Sequence, residues 1–176
     1  MKQPLFTTPP SSICILRLSA LGDVCHVLPV VRTLQDTWPS TQLTWILGRL
    51  EHKLLGHLPG IEFVVFDKNA GPQGYRDLRS QLRGRRFDAL LHMQLALRAS
   101  IASTMVPARL RLGFDRARAR EGQWLFTNAK IDARSREHVL DSLFGFAERL
   151  GVNARSMRWD IPLPDSARAY ANEAIP

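Results

Sequence analysis

Cysteine, glycine and lysine are all scarce in this chain, and each shortage closes off a class of protein. The two cysteines, Cys14 and Cys25, lie 11 residues apart with no C-x-x-C. Neither a structural metal nor a disulfide framework is expected, and a reducing compartment is the default. Gly22 is the single glycine between Met1 and Gly48, so the G-x-G-x-x-G dinucleotide fingerprint has no residues to build it in the first loop. Nowhere do 18 apolar residues run together, and Met1 to Ser12 holds one lysine and three prolines without an apolar stretch. Neither a membrane span nor a secretory signal is legible. Lysine supplies only four of the 24 basic residues; the other 20 are arginine.

What remains is the composition of one ordinary globular domain: 176 residues, 45% apolar and 23% charged. The net charge of +8 and a pI near 10.5 call for an anionic partner. Nucleic acid, an acidic membrane surface and a phosphorylated small molecule all satisfy that demand. Zinc-finger, RNP and helix-turn-helix patterns are absent, and the arginines lack interleaved aromatics, so nucleic acid is not the expected partner.

Short apolar runs alternate with stretches of helical period, the pattern of βαβ units around a parallel sheet. Strands are expected at Ile13 to Leu18, Leu43 to Leu47, Glu62 to Phe66, Phe87 to His92 and Arg109 to Gly113. Helices are expected between them, and the clearest runs from Arg136 to Leu150, with Ser135 as its N-cap and Gly151 as its stop. Pro29 sits awkwardly in the first helical stretch, which therefore either starts at Asp23 and bends or starts near Leu28. Phe114 to Ile131 reads as irregular. The expected architecture is a Rossmann-like, doubly wound α/β domain over residues 1–152. Residues 153–176 are expected to form a linker and the start of a further domain.

In such sheets ligands bind beyond the carboxyl ends of the strands, so the loop Ser19-Ala20-Leu21-Gly22-Asp23 is the first place to look. On spacing alone Asp23 is either a helix cap or a carboxylate facing the crevice. Arg109, Arg111, Arg116, Arg118 and Arg120 put five guanidinium groups into 12 residues, and Arg76 to Arg86 holds five in 11. Arginine matches phosphate and carboxylate oxygens bidentately, although the second cluster reads first as a solvated surface. His26 follows Asp23 by three residues, and Gln94 stands just after the fourth strand at the same end of the sheet.

The stretch Arg17-Leu18-Ser19-Ala20-Leu21-Gly22-Asp23-Val24-Cys25-His26-Val27-Leu28-Pro29 resembles the N-terminal signature of family 9 glycosyltransferases, the ADP-heptose:lipopolysaccharide heptosyltransferases. Those read as a strand followed by S-x-L/M-G-D-V/I-x-x-x-L-P. Phe87-Asp88-Ala89 through Gln94, Gly113-Phe114-Asp115 with Ala119-Arg120-Glu121, and His138 fit the heptosyltransferase I branch in order along the chain. Leu95 departs from it, since relatives often carry glycine after the glutamine.

The resemblance implies a GT-B enzyme of two Rossmann-like halves, this chain being the N-terminal, acceptor-binding half. It further implies inverting transfer of heptose from ADP-heptose to the Kdo-lipid A inner core, at the cytoplasmic face of the inner membrane with peripheral contact to acidic lipid. Asp23 is then the general base, and Ser19, Leu21, Gly22, His26, Gln94, Arg116, Arg118 and Arg120 are the candidate substrate contacts. No D-x-D occurs among the ten aspartates, so no metal and no cofactor are expected. The rival expectation is a non-catalytic α/β module that binds an anionic glycolipid or nucleic acid.

Overall fold

The computed structural model describes residues 3–135 and 137–174. Its centre is a six-stranded, wholly parallel sheet in the order β3-β2-β1-β4-β5-β6. The strands are β1 (Ser12–Leu16), β2 (Gln42–Leu47), β3 (Ile61–Val65), β4 (Phe87–His92), β5 (Ala108–Gly113) and β6 (Ala129–Lys130). Alternation along β1 sends Ile13 and Ile15 to one face and Cys14 and Leu16 to the other, and all four are fully buried. A strand covered on both faces reads as a continuous apolar run, which is why it was legible. Burial also pushes the Cys14 thiol pKa far above its ordinary value.

Helices α1 (Leu21–Thr37), α2 (Arg49–Leu55) and α5 (Val139–Leu150) cover the Ile13 face. Helices α3 (Pro72–Gln81) and α4 (Leu97–Thr104) cover the Cys14 face through Leu78, Ala99 and Ala102. The order reverses direction between β1 and β4, so the loops after these two strands open on one crevice.

Several sequence expectations need correction. Helix α1 starts at Leu21, earlier than either reading of Pro29 allowed, and Pro29 lies buried in its middle. Proline there costs about 3 kcal/mol because it cannot donate to the carbonyl four residues back. That carbonyl, on Cys25, instead accepts the indole N–H of Trp159 at 3.0 Å. Helix α5 begins at Val139, and its cap is His138, whose Nδ1 accepts from Leu140 N at 3.2 Å. Ser135 therefore does not cap it, and the expected first residue, Arg136, lies outside the described residues. The stretch read as irregular contains β6, a two-residue strand too short to show a period.

Residues 153–164 carry no helix or strand and lie along α1. Ser156 N donates to Thr33 Oγ1 at 2.8 Å, and Arg32 Nη2 donates to Asp160 O at 2.9 Å. Helix α6 (Asp165–Ala174) follows and buries none of its residues. Among the described residues no helix is long and apolar enough to cross a membrane.

Candidate active site

The loop after β1 is held open by one arginine. Arg17 donates through Nε to Ser19 O at 3.1 Å and through Nη1 to Met93 O at 2.5 Å, while its Nη2 lies 2.5 Å from Asp23 Oδ2. Asp23 occupies the third helical position of α1, and its Oδ2 also accepts from Ala20 N at 3.2 Å. That reach back to the N-cap residue satisfies a donor the helix start would otherwise leave free. The carboxylate nevertheless stays 44% exposed, whereas Arg17 is 14% exposed. Oδ2 is thus anchored while nearly half of the side chain stays open to solvent.

Gln94 braces the same loop: its Oε1 accepts from Leu18 N at 2.6 Å and its Nε2 donates to Ser19 Oγ at 3.3 Å. The two hydrogen bonds fix Ser19 and Gln94 to each other. Leu21 and Gly22 form the exposed start of α1. A Cβ built on Gly22 meets no atom within 4 Å, so packing does not demand glycine there. The bare backbone leaves that side of the first turn clear for a ligand.

A cleft of about 440 Å³ opens beside Arg17, bounded by Leu95, Phe114, Arg118, Arg120 and Val139. Arg120 is exposed, and its guanidinium has no ion-pair or hydrogen-bond partner among the described residues. Arg116, also exposed, lies flat over the Trp124 ring at 4.0 Å from its centroid. Arg118 differs from both. Its Nε pairs with Asp115, its Nη1 with Glu137 and with Ser142 Oγ at 2.6 Å, and its Nη2 donates to Asp132 O at 2.9 Å. Burial pushes the Asp115 carboxyl pKa upward, but the hydrogen bond and charge of Arg118 outweigh that and hold it below the ordinary value. Arg111 is also committed inward, donating to Phe126 O at 3.1 Å, Val106 O at 2.9 Å and Ser103.

His26 and His138 meet edge to face with ring centroids 6.2 Å apart, which ties the second turn of α1 to the start of α5. The Nδ1 of His26 is buried without a partner among the described residues. Among the described residues no three His, Cys, Asp or Glu side chains gather where a metal ion could sit.

The fold thus gathers Asp23, Ser19, Gly22 and Gln94 around the β1 loop, and Arg17 links them to the cleft that Arg120 lines, whereas Arg116 packs on Trp124 and does not line it. Two residues that matter were not singled out from the sequence. Arg17 was visible as the only charge in an apolar run, yet it drew no role. Gln123 is fully buried: its Oε1 accepts from Phe114 N at 3.1 Å, and its Nε2 donates to His92 O at 2.9 Å and Gln94 O at 3.0 Å. It fastens the arginine-rich loop to the end of β4, and a lone glutamine in a polar stretch carries no signal of that.

A wholly parallel sheet of this order, with a half-exposed carboxylate in the loop after β1, is the frame of a doubly wound α/β domain whose ligand sits beyond the carboxyl ends of its strands. Residues 75–176 match the model of glycosyltransferase family 9 (heptosyltransferase), and the chain belongs to that family. It is similar to the lipopolysaccharide core heptosyltransferase OpsX of Haemophilus influenzae, with 45% identity over 172 residues, which is 98% of this chain and 50% of that protein. The chain therefore spans about half the length of that curated relative. Among solved structures, a family 9 glycosyl transferase from Veillonella parvula superposes with a TM-score of 0.78 at 20% identity, covering 93% of this chain and 48% of that one. Escherichia coli heptosyltransferase WaaC with ADP superposes with a TM-score of 0.72 at 20% identity, over 81% of this chain and 48% of that one.

Proposed function

We propose that this chain is the N-terminal, acceptor-binding half of an inverting heptosyltransferase of the lipopolysaccharide core. WaaC has been solved with ADP and with ADP-2-deoxy-2-fluoro heptose, which supports ADP-heptose as the donor here. The acceptor is Kdo-lipid A, whose phosphates and carboxylates complement the +8 charge and the free Arg120. The protein works at the cytoplasmic face of the inner membrane, touching acidic lipid peripherally.

The observation that carries this reading is the Asp23 carboxylate, exposed at the crevice and oriented by Arg17 and the Ala20 N–H. An acceptor hydroxyl attacks the anomeric carbon as the bond from that carbon to the ADP phosphate oxygen breaks. The hydroxyl proton passes to Asp23, and ADP departs with the electron pair. Arg17 and the helix start hold the carboxylate in one orientation, so much of the rate comes from positioning. Ser19, Gly22, His26 and Gln94 shape the acceptor side of the crevice, with Arg116 and Arg120 on the acidic groups. Arg118 acts by fixing the loop that carries them.

The test is heptose transfer from ADP-heptose to Kdo-lipid A by the full-length protein. Asp23→Asn is expected to lower kcat about 10²- to 10⁴-fold, the usual worth of a general base, with donor KM unchanged. A near-normal kcat for the asparagine variant overturns the assignment. Transfer is expected to be indifferent to chelator; loss in chelator restored by Mg²⁺ overturns metal independence.

A further inference from the structure

The face of the molecule formed by α3, α4 and the loop Glu121–Phe126 combines unpaired positive charge with exposed apolar side chains. Helix α3 turns Leu78 inward and carries Arg76 and Arg79 at i and i+3, and the turn that follows buries Leu82 and adds Arg83. None of the three guanidinium groups has an ion-pair or hydrogen-bond partner among the described residues. The helix's one acid, Asp77, accepts instead from Gln73 Nε2 at 2.7 Å. The three arginines border a cleft of about 770 Å³ that reaches across to Thr104 and Met105 at the end of α4.

Helix α4 buries Ala99 and Ala102 and turns Leu97 and Ile101 outward, 47% and 40% exposed, with Arg98 between them. The following loop runs alongside. Glu121 Oε2 accepts from Leu97 N at 2.6 Å, and Phe126 O accepts from Arg111, which also reaches Ser103 near the helix end. Between these two fastenings stand Trp124 and Leu125, the latter 68% exposed. Single exposed apolar residues are ordinary, but four on one face rimmed by Arg98 and Arg116 are not.

We infer that this face docks onto a bilayer rich in anionic phospholipid. Ile101 and Leu125 enter the headgroup boundary while Arg76, Arg79 and Arg83 meet lipid phosphates, the division of labour of a peripheral membrane surface. The apolar edge adjoins the cleft at Leu95 and Arg120, so docking there brings an embedded lipid's sugar to the crevice. The inference rests on the acceptor being lipid-linked, as proposed above, yet vesicle binding is measured without catalysis.

The experiment is co-sedimentation of the full-length protein with vesicles of phosphatidylethanolamine and phosphatidylglycerol, against vesicles of phosphatidylcholine. At about fivefold per arginine near an anionic surface, Arg76→Gln/Arg79→Gln/Arg83→Gln is expected to lower partitioning about a hundredfold. Ile101→Ser/Leu125→Ser is expected to lower it about tenfold and to persist in high salt, where the arginine effect disappears. Transfer to a deacylated, water-soluble Kdo-disaccharide is expected to be unchanged in both variants. Equal wild-type binding to both vesicle types, wild-type binding by both variants, or no binding by the full-length protein overturns the docking face. A loss of transfer to the soluble acceptor also overturns it, by placing these residues in the site. If partitioning behaves as expected while no protein transfers heptose, the docking face stands and the proposed function falls.

Discussion

Arg118 donates to Asp115, Glu137, Ser142 and the Asp132 carbonyl, whereas Arg120, two residues further along the same loop, has no ion-pair partner among the described residues. Identical side chains in one short segment therefore do opposite work. Arg118 closes the loop onto α5 and spends its donors doing so; Arg120 is left at the cleft with all of its donors available to a ligand. Sequence spacing treats the two alike, and only the acids that fold back from Asp115 and Glu137 separate them. A guanidinium is open to a ligand only when the fold has not already satisfied it.

The largest expected effect that sharpens this contrast is on stability. Arg118→Gln strands Asp115 and Glu137, whose side chains are 6% and 13% exposed, and is expected to cost about 3 kcal/mol in chemical denaturation. Normal stability with transfer abolished would break the contrast, because Arg118 would then be a ligand contact. Arg120→Glu is expected to do the reverse: stability within about 0.5 kcal/mol of wild type, and acceptor kcat/KM of the full-length protein down about 10- to 100-fold with donor KM unchanged. Unchanged acceptor kinetics would remove Arg120 from the site.

Acid extends the comparison to the interior. Burial, with the charge of Arg111 adding to it, pushes the His92 pKa from 6.5 down to about 3. Between those values the unfolded chain binds a proton that the folded chain refuses, so stability falls as pH falls across that window. The expected slope is about 1.4 kcal/mol per pH unit, and His92→Gln should remove it from a series of denaturation curves. Asp115 contributes in the same sense lower down: its depressed pKa supports the fold above its ordinary 3.8 and ceases to do so as pH falls through the folded value. The gap in stability between wild type and Asp115→Asn is therefore expected to close in strong acid, while Arg120 variants show no such trend. The smallest effect is expected for Trp159→Phe, about 1 kcal/mol for one hydrogen bond, read by the same denaturation.

The strands were legible because a parallel sheet covered on both faces needs unbroken apolar runs, and β1, β2 and β4 supply them. Strand β6 was not, because two residues show no period. The start of α5 was misplaced by a rule about chemistry: serine is a favoured cap, but here the imidazole of His138 does that work. In the site, Asp23 and Gly22 stood out through their place after β1 and through the family motif. The roles of Arg17 and Gln123 did not, since both act through backbone carbonyls that come close only in the folded chain. The same holds for Arg111, grouped with the arginines of 109–120 and found serving Phe126, Val106 and Ser103.

Pro29 interrupts the hydrogen-bond ladder of the helix whose first turn carries Asp23, and the vacated Cys25 acceptor is occupied by a side chain from the tail of the chain. The flaw in α1 thus works as a catch. Any excursion of the segment around Trp159 must first withdraw an indole and leave a bare carbonyl two residues from Asp23, so the position of that segment and the integrity of α1 are tied together.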